Sequence, residues 1–346
     1  NSAALNFENN PTFNLIIKVT DNGTGNLSNQ AAVSVTLLDI NEVPVIINQT
    51  FIVAENSANG SNVGTVVASD PDAGQVLSYS IQSGNTSGAF AINASIGLLT
   101  VANSAALNFE NNPTFSLVIK VTDNGTGNLS NQATVSISVL DINEVPAIAN
   151  QAFTIAENSS NGSNVGTVVA SDPDAGQVLS YSIQSGNTSG AFAINASTGV
   201  LTVANSAALN FENNPTFNLG IKVTDNGTGN LSNQATVSIS VLDINEVPAI
   251  SNQAFTIAEN AANGSNVGTV VASDPDAGQV LSYSIQSGNT SGAFAINAST
   301  GVLTVANSTA LNFENNPTFS LGIKVTDNGT GNLSNQATVS ISVLDI

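Results

Sequence analysis

The side chains able to do chemistry in this chain of 346 residues are almost all carboxylates. There are 24 acidic residues against four lysines, no histidine and no cysteine, and the net charge is −20. The acidic residues recur as a set of seven. Between 143 and 244 the set is Glu144, Glu157, Asp172, Asp174, Glu212, Asp225 and Asp243. Each falls in a turn or at the end of an apolar run, and none is spaced along the solvent face of a strand. Oxygen donors on irregular loops suit calcium, which takes about six to eight of them and tolerates varied geometry; magnesium fits irregular multi-loop cages poorly. Zinc would call for histidine or cysteine. Paired carboxylates can also hydrolyse glycosides. A catalytic pair is singular in its setting, however, whereas every acidic residue here is repeated. There is also no His, Cys, Trp or Arg to bind a sugar or move a proton. The reading is therefore a non-enzymatic, cation-binding chain.

The elements that position these carboxylates come in copies. Asn-Phe-Glu starts at Asn6, Asn108, Asn210 and Asn312, and Asp-Ile-Asn-Glu-Val-Pro starts at Asp39, Asp141 and Asp243. A fixed period of this length marks a tandem array. It divides the chain into a partial unit at 1–40 and complete units at 41–142, 143–244 and 245–346. The last two units differ at only five positions, among them Ala149 against Ser251. Such likeness suggests recent duplication and a task in which length matters.

Within a unit the apolar period is two. Phe217, Leu219, Ile221 and Val223 alternate with Asn218, Gly220 and Lys222, and Val237, Ile239 and Val241 alternate with Ser238 and Ser240. This pattern puts one face of a strand in a core and the other in water. Gly/Asn/Ser clusters such as 186–190 and 226–230 separate the runs as turns. Seven strands are expected per unit, at 147–156, 164–171, 178–185, 190–195, 200–204, 215–224 and 234–243. Seven short strands in roughly 100 residues predict an all-β, immunoglobulin-like Greek-key sandwich. Only 8% of residues are charged while 41% are hydrophobic, so Asn, Ser and Thr must cover the surface. With no basic patch the chain is unsuited to nucleic acid and to anionic membranes. No apolar run approaches the ~20 residues that span a bilayer.

Six short motifs then carry a resemblance. In the third unit they are Ala156-Glu157-Asn158, Asp172-Pro-Asp174, the Thr-Gly turn within Phe192-Ala-Ile-Asn-Ala-Ser-Thr-Gly, Leu209-Asn-Phe-Glu, Val223-Thr-Asp-Asn-Gly and Leu242-Asp-Ile-Asn-Glu-Val-Pro. In this order and spacing, over the whole chain, they resemble the cadherin repeat, in particular that of bacterial-type surface adhesins. The resemblance implies a rod of sandwiches whose linkers are wrapped by calcium. Carried over, the junction at 141–145 would take Glu55, Asn108, Glu110, Asp141, Asn143 and Glu144, with Asp172, Asp174 and Asp225 and the carbonyls of Ile142 and Val145. The junction at 243–247 would take Glu157, Asn210, Glu212, Asp243, Asn245, Glu246, Asp274, Asp276 and Asp327, with Ile244 and Val247. The junction at 39–43 would take Glu8, Asp39, Asn41, Glu42, Asp70, Asp72 and Asp123. Carboxylates converging like this repel by roughly 3 kcal/mol per pair at ~6 Å and an effective dielectric of ~20, so divalent cations must intervene. Asn108 and Asn210 stand where the family usually has aspartate, and the linker is one residue shorter. Two or three Ca2+ per junction are expected.

The implied function is a calcium-stiffened extracellular rod, the stalk of a large cell-surface adhesin whose binding domain lies elsewhere. The alternative is a subunit that assembles with copies of itself into an extracellular fibre or biofilm-matrix filament. The partners are then copies of the chain or a surface ligand held by other domains, with no membrane insertion by this segment.

Overall fold

The computed structural model describes residues 5–346. Alternation of apolar and polar residues becomes β-structure throughout, and no α-helix occurs among the described residues. A hairpin of β1 (Thr12–Thr20) and β2 (Ser28–Thr36) comes first. Nine strands then follow: β3 (Val45–Ile46), β4 (Gln49–Ala54), β5 (Asn62–Thr65), β6 (Ala68–Ser69), β7 (Ser78–Ser83), β8 (Phe90–Ile92), β9 (Leu98–Val101), β10 (Thr114–Thr122) and β11 (Ser130–Leu140). The nine recur as β12 (Ala147–Ile148) to β20 (Ser232–Leu242), and again as β21 (Ala249–Ile250) to β29 (Ser334–Leu344).

Each set of nine builds the same sheets. Four strands run in the order β4-β11-β10-β7, with β4 parallel to β11 and the other pairs antiparallel. Three run β5-β9-β8, and β3 pairs with β6. Along β10 the predicted alternation holds: Phe115, Leu117, Ile119 and Val121 are buried, while Ser116 and Thr114 face out. Each buried Leu or Ile contributes about 1.5–3 kcal/mol through loss of water contact. Across the sandwich Phe90 meets Phe115 edge to face at 5.0 Å, and Phe192–Phe217 and Phe294–Phe319 repeat the contact. A separate apolar core forms in each set. In the β1–β2 hairpin the equivalent positions are open: Leu15 is 45% and Ile17 46% exposed, against 0% for Leu117 and Ile119.

Nine strands appear where seven were expected, because the first two of each unit are each cut in two. The predicted strand 147–156 changes sheets: Ala147–Ile148 pairs with Ala170–Ser171, whereas Gln151–Ala156 pairs in parallel with β20. At the crossover the Gln151 amide takes the place of a missing peptide group. Its Nε2 donates to Val169 O at 2.9 Å, and its Oε1 accepts from Val169 N at 3.0 Å. The Asn150 side chain accepts from Thr236 N at 2.9 Å. Polar side chains thus satisfy backbone groups that would be orphaned where ladder pairing stops. A bulge between Ile183 and Ser185 brings Gly186, at φ +77, against the carbonyl of Asn218, where a Cβ would overlap it; a side chain there is excluded by both space and backbone conformation.

Contacts divide the chain into two compact units. The first runs to Val145 and takes in Asp172–Gln177 and Gly227–Leu231; the second holds Pro146–Ser171, Val178–Asn226 and Ser232–Ile346. The linker 141–145 lies with the loop 172–177 inside the first unit, and the linker 243–247 lies wholly inside the second.

Since each core rests on its own phenylalanine pair, Phe294→Ala is expected to destabilise its sandwich by about 3–5 kcal/mol. Scanning calorimetry should resolve an early transition for that sandwich with the others retained. A uniform shift of all unfolding would show that the cores are not separate.

Candidate metal centre

The junction residues are placed by strand ends and tight turns. Glu55 follows β4, and its backbone N–H continues the ladder to Leu140 O at 3.0 Å. Its carboxylate is buried, 3% exposed, and is fixed at both oxygens: Ile142 N donates to Oε1 at 2.8 Å and Phe109 N to Oε2 at 2.9 Å. One side chain thereby ties together the glutamate turn, the Asn-Phe-Glu segment and the start of the linker. Glu157 repeats this with Ile244 N at 2.7 Å and Phe211 N at 2.9 Å.

Around these anchors the remaining carboxylates gather. In the first unit one oxygen from each of Glu55, Glu110 and Asp141 lies within 4.8 Å of the others, and so do oxygens of Glu110, Glu144 and Asp174. In the second unit Glu157, Glu212 and Asp243 form one such group and Glu212, Glu246 and Asp276 another. At the linker 39–43 the group is Glu8, Asp39, Glu42 and Asp72. The linker N–H of Glu144 donates to Asp174 Oδ2 at 2.8 Å, and that of Glu246 to Asp276 Oδ2 at 2.8 Å. Asp174 N in turn donates to Asp172 Oδ1 at 3.0 Å, the turn geometry that the Asp-Pro-Asp spacing favours.

Several of these oxygens are buried and lack a hydrogen-bond partner: Oε2 of Glu42, Glu144 and Glu246, Oδ1 of Asp174 and Asp276, and Oδ2 of Asp70 and Asp274. Burying an unpartnered charged oxygen is costly, and Glu42, Asp70, Glu144, Glu246 and Asp274 hold their protons more tightly than usual. Burial, reinforced by the charges of Glu55, Glu110 and Asp174 and opposed by the Asn56 amide, pushes the Glu144 carboxyl up to about 7. Burial, with Glu157, Glu212 and Asp276, pushes Glu246 up to about 6. Asp141 and Asp243 are also raised, by burial and by their hydrogen bonds and charge contact with Asp174 and Asp276. At the linker 39–43 Asp39 and Glu42 are raised in the same way, as are Asp70 and Asp274. The donor set is all oxygen, irregular and short of positive charge, and it fits a hard divalent cation such as calcium.

Not every expected ligand is presented to these groups. Asn108 turns its amide nitrogen to Glu110 Oε2 at 2.7 Å, while its oxygen caps the turn by accepting from Asn111 N at 2.9 Å. Asn210 does the same with Glu212 and Asn213. Asp123 and Asp327 are buried, each with Oδ1 accepting two backbone N–H groups; Asp225 is likewise buried. Ile142 and Ile244 enter through their N–H groups, and Val145 and Val247 have exposed side chains. Two partners escaped the sequence reading. Asn56 and Asn158, at φ 55 and 56, donate to Glu144 and Glu246 at 2.9 and 2.8 Å. Gln75, Gln177 and Gln279 donate to the linker asparagines Asn41, Asn143 and Asn245 at 2.9–3.0 Å. The signal for both was their unvarying place in each copy, Glu-Asn and Asp-Ala-Gly-Gln.

Repeated β-sandwiches joined by short linkers lined with carboxylates define a tandem modular β-protein. The cadherin domain model matches 49–140, 151–242 and 253–344, and the chain belongs to the cadherin family. It is 34% identical to human Protocadherin Fat 4 over 96% of its own length and 7% of that protein, and 34% identical to human Cadherin-23 over 91% and 10%. The chain thus spans about a tenth or less of these relatives. Among solved structures, mouse Cadherin-23 EC22-24 aligns with TM-score 0.68 at 25% identity, over 89% of this chain and 100% of that one. The Protocadherin GammaB4 extracellular domain aligns with TM-score 0.72 at 26% identity, over 98% and 56%. No helix among the described residues is long and apolar enough to cross a membrane.

The raised carboxyls set a pH dependence with a definite sign. Without divalent cations the folded chain holds protons on Glu144 and Glu246 that the unfolded chain releases, between about pH 7 and the ordinary carboxylate value of 4.5. Stability should therefore rise as pH falls through that window. In chelator the melting temperature is expected to be higher at pH 5 than at pH 7.5; a lower value at pH 5 would contradict the raised carboxyls.

Proposed function

We propose that calcium binds at the linkers 39–43, 141–145 and 243–247 and fixes the modules 41–142, 143–244 and 245–346 in sequence as the stalk of a large extracellular adhesin. The observation that carries this reading is that carboxylate oxygens gather within 4.8 Å of one another at each linker while residues of these groups, among them Glu42, Glu144, Asp174, Glu246 and Asp276, bury oxygens without a partner. Glu55, Glu110, Asp141, Glu144 and Asp174 would hold the ions at 141–145. Glu157, Glu212, Asp243, Glu246 and Asp276 would do so at 243–247, and Glu8, Asp39, Glu42 and Asp72 at 39–43. The cation supplies positive charge that removes the repulsion, and each bound oxygen ties a linker or a loop to it. Flexible hinges thereby become stiff ones. Kinship with cadherin repeats supports the same reading. A surface-exposed adhesin of the bacterial type, in which near-identical copies set the reach, accounts for units that differ at so few positions.

Small-angle scattering of the whole chain, titrated from chelator to millimolar calcium, tests this. The maximum dimension is expected to rise, or its distribution to sharpen, at constant mass. A rise in mass would favour the self-assembling fibre instead. No change in size, shape or mass would remove the calcium-stiffening mechanism.

A further inference from the structure

Each linker carries an asparagine whose side chain is engaged at both its nitrogen and its oxygen. Asn41 Nδ2 donates to Thr126 O and to Asp123 Oδ2, both at 3.2 Å, while its Oδ1 accepts from Gln75 Nε2 at 3.0 Å. Asn245 repeats all three contacts, with Thr330 O at 3.1 Å, Asp327 Oδ2 at 3.3 Å and Gln279 Nε2 at 3.0 Å. Asn143 is bound by Gln177 at 2.9 Å and donates to Thr228 O at 3.2 Å. The orientation of these amides is fixed by chemistry. A backbone carbonyl can only accept, so the asparagine must turn its nitrogen to the threonine carbonyl and its oxygen to the glutamine. A glycine backs each clamp: a Cβ on Gly125, Gly227 or Gly329 would overlap both the asparagine oxygen and the glutamine nitrogen. The space beside the asparagine oxygen is thus filled by an amide donor.

On the same side of the junction Asp123 is engaged at both carboxylate oxygens. Its Oδ1 accepts from Gly125 N and Leu129 N, both at 3.0 Å, and its Oδ2 from Asn41. Asp327 has the matching set. The oxygen left without a partner there is Oδ2 of Asp70, and of Asp274 in the later copy. Calcium takes about six to eight oxygen donors, and on this side the asparagine oxygen is already held by the glutamine amide. The other residues with partnerless oxygens belong to carboxylate groups: Glu144 and Asp174 with Glu110, Glu246 and Asp276 with Glu212, and Glu42 with Glu8, Asp39 and Asp72; at each full junction Glu110 or Glu212 is shared with a second group.

We propose that each full junction takes two calcium ions, that the linker 39–43 takes no more than two, and that the glutamine amide stands where a third would sit. Gln75, Gln177 and Gln279 are then positioning residues. They lock the linker asparagine to the loops beside it through hydrogen bonds that need no cation, while the two ions act on the glutamate-rich side. This inference rests on the calcium reading above and fixes its stoichiometry.

Equilibrium dialysis of the whole chain against millimolar calcium, with the bound metal counted by atomic emission, provides the test. Two ions at each full junction and no more than two at the linker 39–43 give at most about six per chain, and three at each would give about nine. The wild-type count is expected not to exceed about six. In the triple variant Gln75→Glu, Gln177→Glu, Gln279→Glu, the amide donor becomes an oxygen ligand, and the count is expected to rise by about one per junction. Circular dichroism confirms that the variant is folded, and the wild-type count stands without it. About nine ions on the wild-type chain would overturn the proposal, as would a folded variant with an unchanged count. Zero bound calcium would instead overturn the calcium reading itself.

Discussion

Repulsion among carboxylates forced into the same few ångströms is the constraint around which this molecule is organised. The sandwiches are uncharged on most of their surface, and the acidic residues are confined to strand ends, turns and linkers. Glu110 takes part in two carboxylate groups at once, and Glu212 does the same in the second unit. In water such residues would spread apart. Here the backbone N–H groups of Ile142, Phe109 and Glu144 hold their neighbours in place. A fold that spends hydrogen bonds on gathering like charges is poised for an external source of positive charge, since four lysines in the whole chain cannot provide it.

The strands serve that arrangement. Because β4 runs parallel to β11, the end of one and the end of the other fall at the same edge of the sandwich, and Glu55 and the linker emerge side by side. The crossover at Gln49, Gln151 and Gln253 makes this topology feasible, since it lets one extended segment leave the smaller sheet and join the larger. A glutamine amide bridging to Val67, Val169 or Val271 keeps the backbone satisfied during the change. Pro146, whose carbonyl accepts from Asn233 at 3.1 Å, opens each such segment without needing a donor of its own.

Much of this was legible in the residues. The alternation of Phe217, Leu219, Ile221 and Val223 specified a half-buried strand, and the fixed period gave the repeated sandwich. The seven carboxylates of each unit were legible as a set because no other acidic residue competes with them. Less legible was anything decided by hydrogen-bond direction. Asn108 reads as a plausible ligand by type, yet its oxygen caps a turn. The role of Gln75, Gln177 and Gln279 depends on a glycine and a threonine carbonyl some fifty residues away in sequence, which no local pattern encodes. The division of 147–156 into two strands was hidden for the same reason: Asn150 and Gln151 continue the polar spacing of a strand while their amides end its pairing.

The central claim is that cations convert a repelling junction into a stiff one. The chain contains no cysteine, so nitroxide labels can be attached cleanly at Ser240→Cys and Ser342→Cys, on exposed positions of β20 and β29 flanking the linker 243–247. Pulsed electron spin resonance then reads the distance distribution across a single junction. The account predicts a broad distribution in chelator that collapses to a narrow one in millimolar calcium, and a return to breadth when Asp243→Asn and Glu246→Gln are added. Equally narrow distributions in chelator and in calcium would contradict it, because the junction would then be rigid without any ion.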